Sequence, residues 1–128
     1  MTYYLLARTA QDYKKAHELI KEEGMDDAPL NFPTLLAWEG RKLVGVLGTD
    51  TSQNMIIAGP LALRSDKKRV FTLLRLIEKY EDVMRACQID SYIFSVEVGT
   101  KWMDEVEKLT ELKPYAEKDG RAFYVRNL

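Results

Sequence analysis

Apolar positions change period twice between Met55 and Val98, and the rest of the chain is arranged around that stretch. Met55-Ile56-Ile57-Ala58-Gly59-Pro60-Leu61-Ala62-Leu63 is a continuous apolar run of strand length. Beyond a basic turn, Val70, Leu73, Ile77, Tyr80, Met84 and Cys87 recur at spacings of three and four. Leu74, Leu76 and Val83 widen that stripe, while Arg75, Glu78, Lys79, Asp82 and Arg85 take the other side. This is an amphipathic helix with one face on a sheet. Ser91-Tyr92-Ile93-Phe94-Ser95-Val96 returns to strand composition, completing a βαβ unit whose two strands are expected to lie parallel as neighbours or nearly so. Ligands of such units sit where strand gives way to helix, which places the first search for function at Leu63 to Thr72.

The flanking segments are simpler. Tyr3 to Arg8 reads as a strand. Thr9 then reads as an N-cap, with Asp12 completing an acidic capping box, for a helix that runs to Glu23 and stops at Gly24. Met25 to Pro33, with Asp26, Asp27, Pro29, Asn31 and Pro33, has loop composition. Thr34 to Trp38 and Leu43 to Leu47 form a hairpin about Glu39-Gly40-Arg41-Lys42, with Gly45 and Gly48 read as a bend or bulge, and Thr49 to Asn54 form a polar turn. Thr100 caps a short helix with Trp102, Val106 and Leu109 inward, ended by Pro114. Tyr115 opens a last hairpin through Lys118-Asp119-Gly120-Arg121 and back along Ala122 to Arg126.

Composition narrows the classes. With 128 residues there is room for one domain of residues 1–128 and no second. A chain of this length buries roughly two thirds of its unfolded surface, so it needs no disulfide or metal staple. The lone Cys87 excludes an internal disulfide, suits a reducing cytoplasm, and on the helix stripe reads as a small buried hydrophobe. Nineteen basic and 20 acidic residues, intermixed to a net charge of −1, give no footprint for nucleic acid or an anionic membrane. The N-terminal segment lacks the pattern of a signal peptide, and no apolar run has membrane-spanning length, so the expected location is cytoplasmic. His17 is the only histidine, which argues against metal catalysis and leaves it as a helix-surface or boundary residue. Asp26 and Asp27 are candidates for contact with a substrate amine, but adjacent carboxylates in such a loop are ordinarily just solvated.

The element order resembles the GNAT acyltransferase superfamily over nearly the whole chain. Ala7-Arg8-Thr9-Ala10-Gln11-Asp12 looks like that family's strand-to-helix entry, and Trp38-Glu39-Gly40-Arg41-Lys42-Leu43-Val44-Gly45 looks like its hairpin. Leu61-Ala62-Leu63 matches the end of its central strand, and Glu107-Lys108-Leu109 matches the helix before its final strands. The resemblance implies an α/β fold with a mixed, mostly antiparallel central sheet flanked by helices. It also implies a role for backbone groups of Leu61 and Leu63 in orienting an acetyl group.

Three features that the family's chemistry uses are altered. The Arg/Gln-x-x-Gly-x-Gly/Ala loop, whose bare backbone cradles the acetyl-CoA pyrophosphate at a helix N-terminus, falls on Lys68-Arg69-Val70-Phe71-Thr72-Leu73, with Phe71 and Leu73 at the glycine positions. The segment reads instead as a helix capped by Ser65 with Asp66 in its first turn. The tyrosine that serves as general acid is replaced by Val106, the preceding asparagine by Gly99, and the closing glycine by Thr110. The filled loop and the charged Arg-Leu-Ile-Glu-Lys-Tyr-Glu-Asp helix look like GNAT-like proteins encoded by tailed bacteriophages among virion and assembly genes.

Two functions follow from this resemblance. One is a non-catalytic phage-type protein, without cofactor, that binds another protein of virion or host during assembly or infection. Trp38, Tyr3, Tyr4 or Trp102 would then form contacts if exposed. The other is a divergent acetyl-CoA-dependent N-acetyltransferase acting on an amine, with Lys67, Lys68 and Arg69 beside Phe71 replacing the glycine cradle by charge and Tyr115 or Tyr124 as the acid.

Overall fold

The computed structural model describes residues 1–25 and 28–128; the expectation for Asp26 and Asp27 lies outside them. Strands β1 (Thr2–Leu6), β2 (Asn31–Glu39), β3 (Lys42–Asp50), β4 (Ile57–Leu63), β5 (Ser91–Glu97), β6 (Ala116–Lys118) and β7 (Arg121–Asn127) alternate with helices α1 (Ala10–Glu22), α2 (Arg69–Ala86) and α3 (Lys101–Thr110). They form one seven-stranded sheet in the order β1-β2-β3-β4-β5-β7-β6. Only β4 and β5 run parallel, as the crossover through α2 requires, and every other neighbouring pair is antiparallel. This is the expected single-domain α/β architecture.

Local chemistry explains the element boundaries. Thr9 Oγ1 accepts from the Asp12 N–H at 3.1 Å while the Asp12 carboxylate accepts from Thr9 N–H at 3.2 Å and Arg8 N–H at 2.9 Å, so the capping box forms. Those bonds, led by the one from Arg8, hold the Asp12 carboxyl below its ordinary range. Gly24 ends α1 at φ 78°. The first hairpin is longer than its apolar core: Asn31 to Pro33 belong to β2, and Thr49 and Asp50 to β3. Backbone pairing, here Asn31 with Thr49, carries polar and proline positions that composition assigns to loops.

Alternation divides the core between the two faces of the sheet. Leu36, Val46 and Ala62 pack with Ala16, Leu19 and Ile20 of α1. On the opposite face Leu35, Ala37, Leu47 and Leu63 meet Leu73, Leu76, Tyr80 and Met84 of α2. The α2 stripe is therefore narrower than its spacing predicts: Val70 is 58% and Leu74 51% exposed. The first turn overhangs the core, and spacing cannot tell how far a sheet extends beneath a helix. Cys87, expected to be buried, is exposed at the C-cap, where its N–H bonds Val83 and Met84 carbonyls. Helix α3 buries no residue, so Trp102 and Leu109 are not the inward positions expected; Val106 is half-buried.

Gly48 is not itself bulged but stands opposite the two bulged residues of β4, whereas Gly45 flanks the extra residue of β3, Val44, and has a further task. A Cβ there would lie 3.0 Å from Leu76 Cδ1, 3.1 Å from Leu63 Cδ2 and 3.3 Å from Thr72 Cγ2, so its absence lets α2 settle on the sheet. Gly45→Val is expected to cost about 1–3 kcal/mol by overpacking, read as a lower urea midpoint at unchanged m-value.

Candidate functional site

The sheet opens between β4 and β5. These strands meet in one residue pair, Ile57 with Ile93, where the Ile93 N–H donates to the Ile56 carbonyl at 2.9 Å. Beyond it β4 continues to Leu63 and β5 to Glu97 unpaired with one another, leaving a wedge between them. A bulge lies on the β4 wall: Leu47 faces Leu61 and Thr49 faces Ala58, so Gly48 alone spans Gly59 and Pro60. Gly59 takes φ 137°, a conformation that glycine supplies without strain. Ala58, Leu61, Ile77 and Phe94 are only half-buried, so the wedge is lined by apolar side chains that reach its surface.

Helix α2 starts at the mouth of the wedge, but later than sequence predicts. Ser65 does not cap it and Asp66 is not in its first turn. The Asp66 carboxylate accepts from Lys68 N–H at 2.8 Å and its carbonyl from Arg69 N–H at 3.3 Å, forming a turn that delays the helix to Arg69. Lys68 is the N-cap and has no side-chain cap bond. Lys67, Lys68 and Arg69 are all exposed around this helix end, where first-turn N–H groups have no intrahelical acceptor. Arg64, directly after β4, is already engaged: its Nε donates to Leu43 O at 2.7 Å and its Nη2 lies 2.8 Å from Glu22.

The two glycine-position side chains go different ways. Leu73 is buried in the core, and Phe71 is 55% exposed, with the Arg75 guanidinium 5.3 Å from its ring centroid. Phe71 lines a shallow depression with Thr2 and Tyr4 of β1, so it leans toward β1. A pyrophosphate cradle of consecutive bare N–H groups does not fit this helix entry, because helical backbone and side chains occupy the stretch where the loop would wrap.

The structure does not bring the two candidate acids together. Tyr124 is fully buried, stacked on Phe94 with centroids 5.1 Å apart, and its hydroxyl donates to Glu107 Oε1 at 3.3 Å. Burial first, and then the Glu107 carboxylate, push its pKa up. Tyr115 is 56% exposed and packs beside Phe123, whose side chain alternates to the other face of β7. His17 is half-buried on α1. Among the described residues no cluster of His, Cys, Asp and Glu could hold a metal ion.

A buried polar brace, invisible to the sequence reading, ties α2 to the far wall of the wedge. The Glu81 carboxylate accepts from Tyr92 Oη at 2.7 Å and from Arg126 Nε at 2.9 Å, and Arg85 approaches to 3.7 Å. Burial pushes the Glu81 carboxyl up, but the bonds from Arg126 and Tyr92 and the charges of Arg126 and Arg85 outweigh it, so it titrates below its ordinary value. Glu81 stands four residues after Ile77, a helix spacing that could have flagged a carboxylate at the edge of the apolar stripe.

A single sheet opened between β4 and β5, with a long helix springing from the opening, is the GNAT fold, and solved structures agree. The ribosomal-protein-S18-alanine N-acetyltransferase from Escherichia coli superposes with a TM-score of 0.75 at 10% identity, over 99% of this chain and 94% of that one. A GNAT-family acetyltransferase from Staphylococcus aureus Mu50 gives 0.72 at 12% identity, covering 100% and 99% of the two chains. A chain of the NatC complex bound to Gag peptide and CoA gives 0.67 at 16% identity, covering 99% and 98%. No protein-family model and no curated protein matches the sequence. No helix among the described residues is long and apolar enough to cross a membrane.

Proposed function

We propose that this chain keeps the GNAT fold without its acetyl-transfer chemistry and acts by binding another protein. The carrying observation is the entry to α2, where Leu73 is committed to the core and Phe71 occupies the other glycine position within an ordinary helical turn. Burial of Tyr124 against Glu107 adds support, since a hydroxyl so engaged is not presented to a departing thiolate. The exposed aromatics Tyr3 and Trp102 supply contact surface of the type that anchors protein interfaces. The partner belongs on this reading to a virion or its host, with the chain in the host cytoplasm or virion-associated, a reading supported by the likeness of the charged α2 sequence to GNAT-like proteins of tailed phages.

The open wedge favours a second reading, a divergent acetyl-CoA-dependent N-acetyltransferase in which Lys67, Lys68 and Arg69 hold the cofactor by charge. Thermal unfolding with acetyl-CoA or CoA separates the two. A ligand at about 100 times its Kd stabilises by roughly 2.7 kcal/mol, a shift of several degrees for a domain of this size. We expect no shift with either ligand. A clear shift abolished in a Lys68→Ala, Arg69→Ala double variant would replace the binding reading with the enzymatic one.

A further inference from the structure

Strand β1 is one of the two ends of the sheet and, among the described residues, pairs only with β2. Edge strands present alternate N–H and C=O groups outward, and proteins commonly blunt them with charge, proline or brevity. The opposite edge, β6, is three residues long and carries Glu117 and Lys118. β1 is uncharged and free of proline over Thr2-Tyr3-Tyr4-Leu5-Leu6.

Its two faces differ in chemistry. Tyr3 and Leu5 pair with Trp38 and Leu36 on the α1 side, yet α1 packs over β3 and β4, which leaves Tyr3 53% and Leu5 56% exposed. On the α2 side, Thr2 and Tyr4 meet Lys68, Phe71, Arg75 and Lys79 in an open depression of about 540 Å³. Arg75 is partly engaged by Glu78 at 3.2 Å, but neither Lys68 nor Lys79 has an ion pair among the described residues. Tyr4 lines this depression with part of its ring, while its hydroxyl is buried beneath and packs with the α2-side core.

We propose that β1 is the docking edge for an extended segment of a partner protein that adds as an eighth strand, with acidic residues alternating with apolar ones. Alternation places every second side chain on one face, so the acidic set meets Lys68, Arg75 and Lys79 while the apolar set covers Tyr3 and Leu5. Charge selects this occupant over a second copy of the chain. Two-fold pairing of β1 with itself would set the basic depressions of two α2 helices side by side. This inference rests on the protein-binding reading and names the surface and the chemistry of its partner.

The test uses a fluorescein-labelled peptide of about ten residues alternating Val and Glu, titrated with the intact protein by fluorescence polarisation. Saturable binding is expected, weakened at least about tenfold for a Val/Lys peptide and in a Lys68→Glu, Lys79→Glu variant whose exposed sites leave the core intact. Two further peptides carry N-methyl groups on alternate backbone nitrogens, one along each edge, and the one whose methylated edge faces β1 should lose binding, since strand pairing needs those N–H groups. Equal binding of the Val/Lys peptide, full binding of both N-methylated peptides, or no binding of the Val/Glu peptide up to about 1 mM would overturn the proposal. So would a dimer, seen by sedimentation, that Leu5→Lys dissociates. A failed peptide with no acetyl-CoA shift leaves the protein-binding reading standing on another surface, whereas an acetyl-CoA shift removes that reading whatever the peptide does.

Discussion

Tyr80→Ala is expected to remove about 3–5 kcal/mol of unfolding free energy, the range for truncating a fully buried aromatic side chain. The position matters beyond its volume. The strands β1 to β4 and the strands β5, β7 and β6 share one backbone residue pair, Ile57 with Ile93, so side chains of α2 must carry much of the connection. The Tyr80 ring stands edge-on to Tyr92 of β5 at 5.5 Å, while its hydroxyl bonds Thr49 Oγ1 of β3 at 2.6 Å. Because Thr49 donates its own proton to the Pro33 carbonyl, Tyr80 is the donor, and burial pushes its pKa up to about 12, keeping that proton at neutral pH. Tyr80→Phe retains the ring and Thr49 keeps its bond to Pro33, so a loss of only about 1 kcal/mol is expected. Urea unfolding measures both. If the alanine variant lost less than about 1 kcal/mol, the brace across the wedge would have to lie elsewhere.

Arg126→Ala is expected to cost about 2 kcal/mol at pH 7. Stripping one partner from a buried ion pair costs about 3–5 kcal/mol, but the Arg126 side chain is 39% exposed and water screens part of its charge. The pH dependence identifies the cause. In the intact protein the Glu81 carboxyl titrates below its ordinary value, so its stabilisation is fully present above the unfolded glutamate pKa of about 4.3 and is lost as pH falls through the lower folded value. Without Arg126 the desolvation remains, the strongest bond holding the carboxylate is gone, and protonation relieves the strain instead. The stability difference between the two proteins should therefore be largest near neutrality and shrink below about pH 4, in urea titrations run across that range. A difference independent of pH would show that the loss comes from packing of the arginine stem.

Element type and order were legible in the sequence because each element satisfies its own backbone and exposes a face of fixed period. The 3.6 spacing of α2, the Thr9–Asp12 box and the Gly40 and Asp119-Gly120 turns each act within a few residues, and the structure has them all. The filled glycine positions were legible for the same reason: a side chain at Phe71 or Leu73 is a local fact. Tertiary structure decided how far the sheet extends beneath each helix, which exposed Val70, Leu74, Trp102, Leu109 and Cys87 against expectation. It also set Tyr115 and Tyr124 on opposite faces of β7, joined Glu81 to Arg126 across 45 residues of chain, and left β1 as an open edge beside a basic depression. Those outcomes depend on which strands become neighbours, a long-range choice that no local window of residues contains.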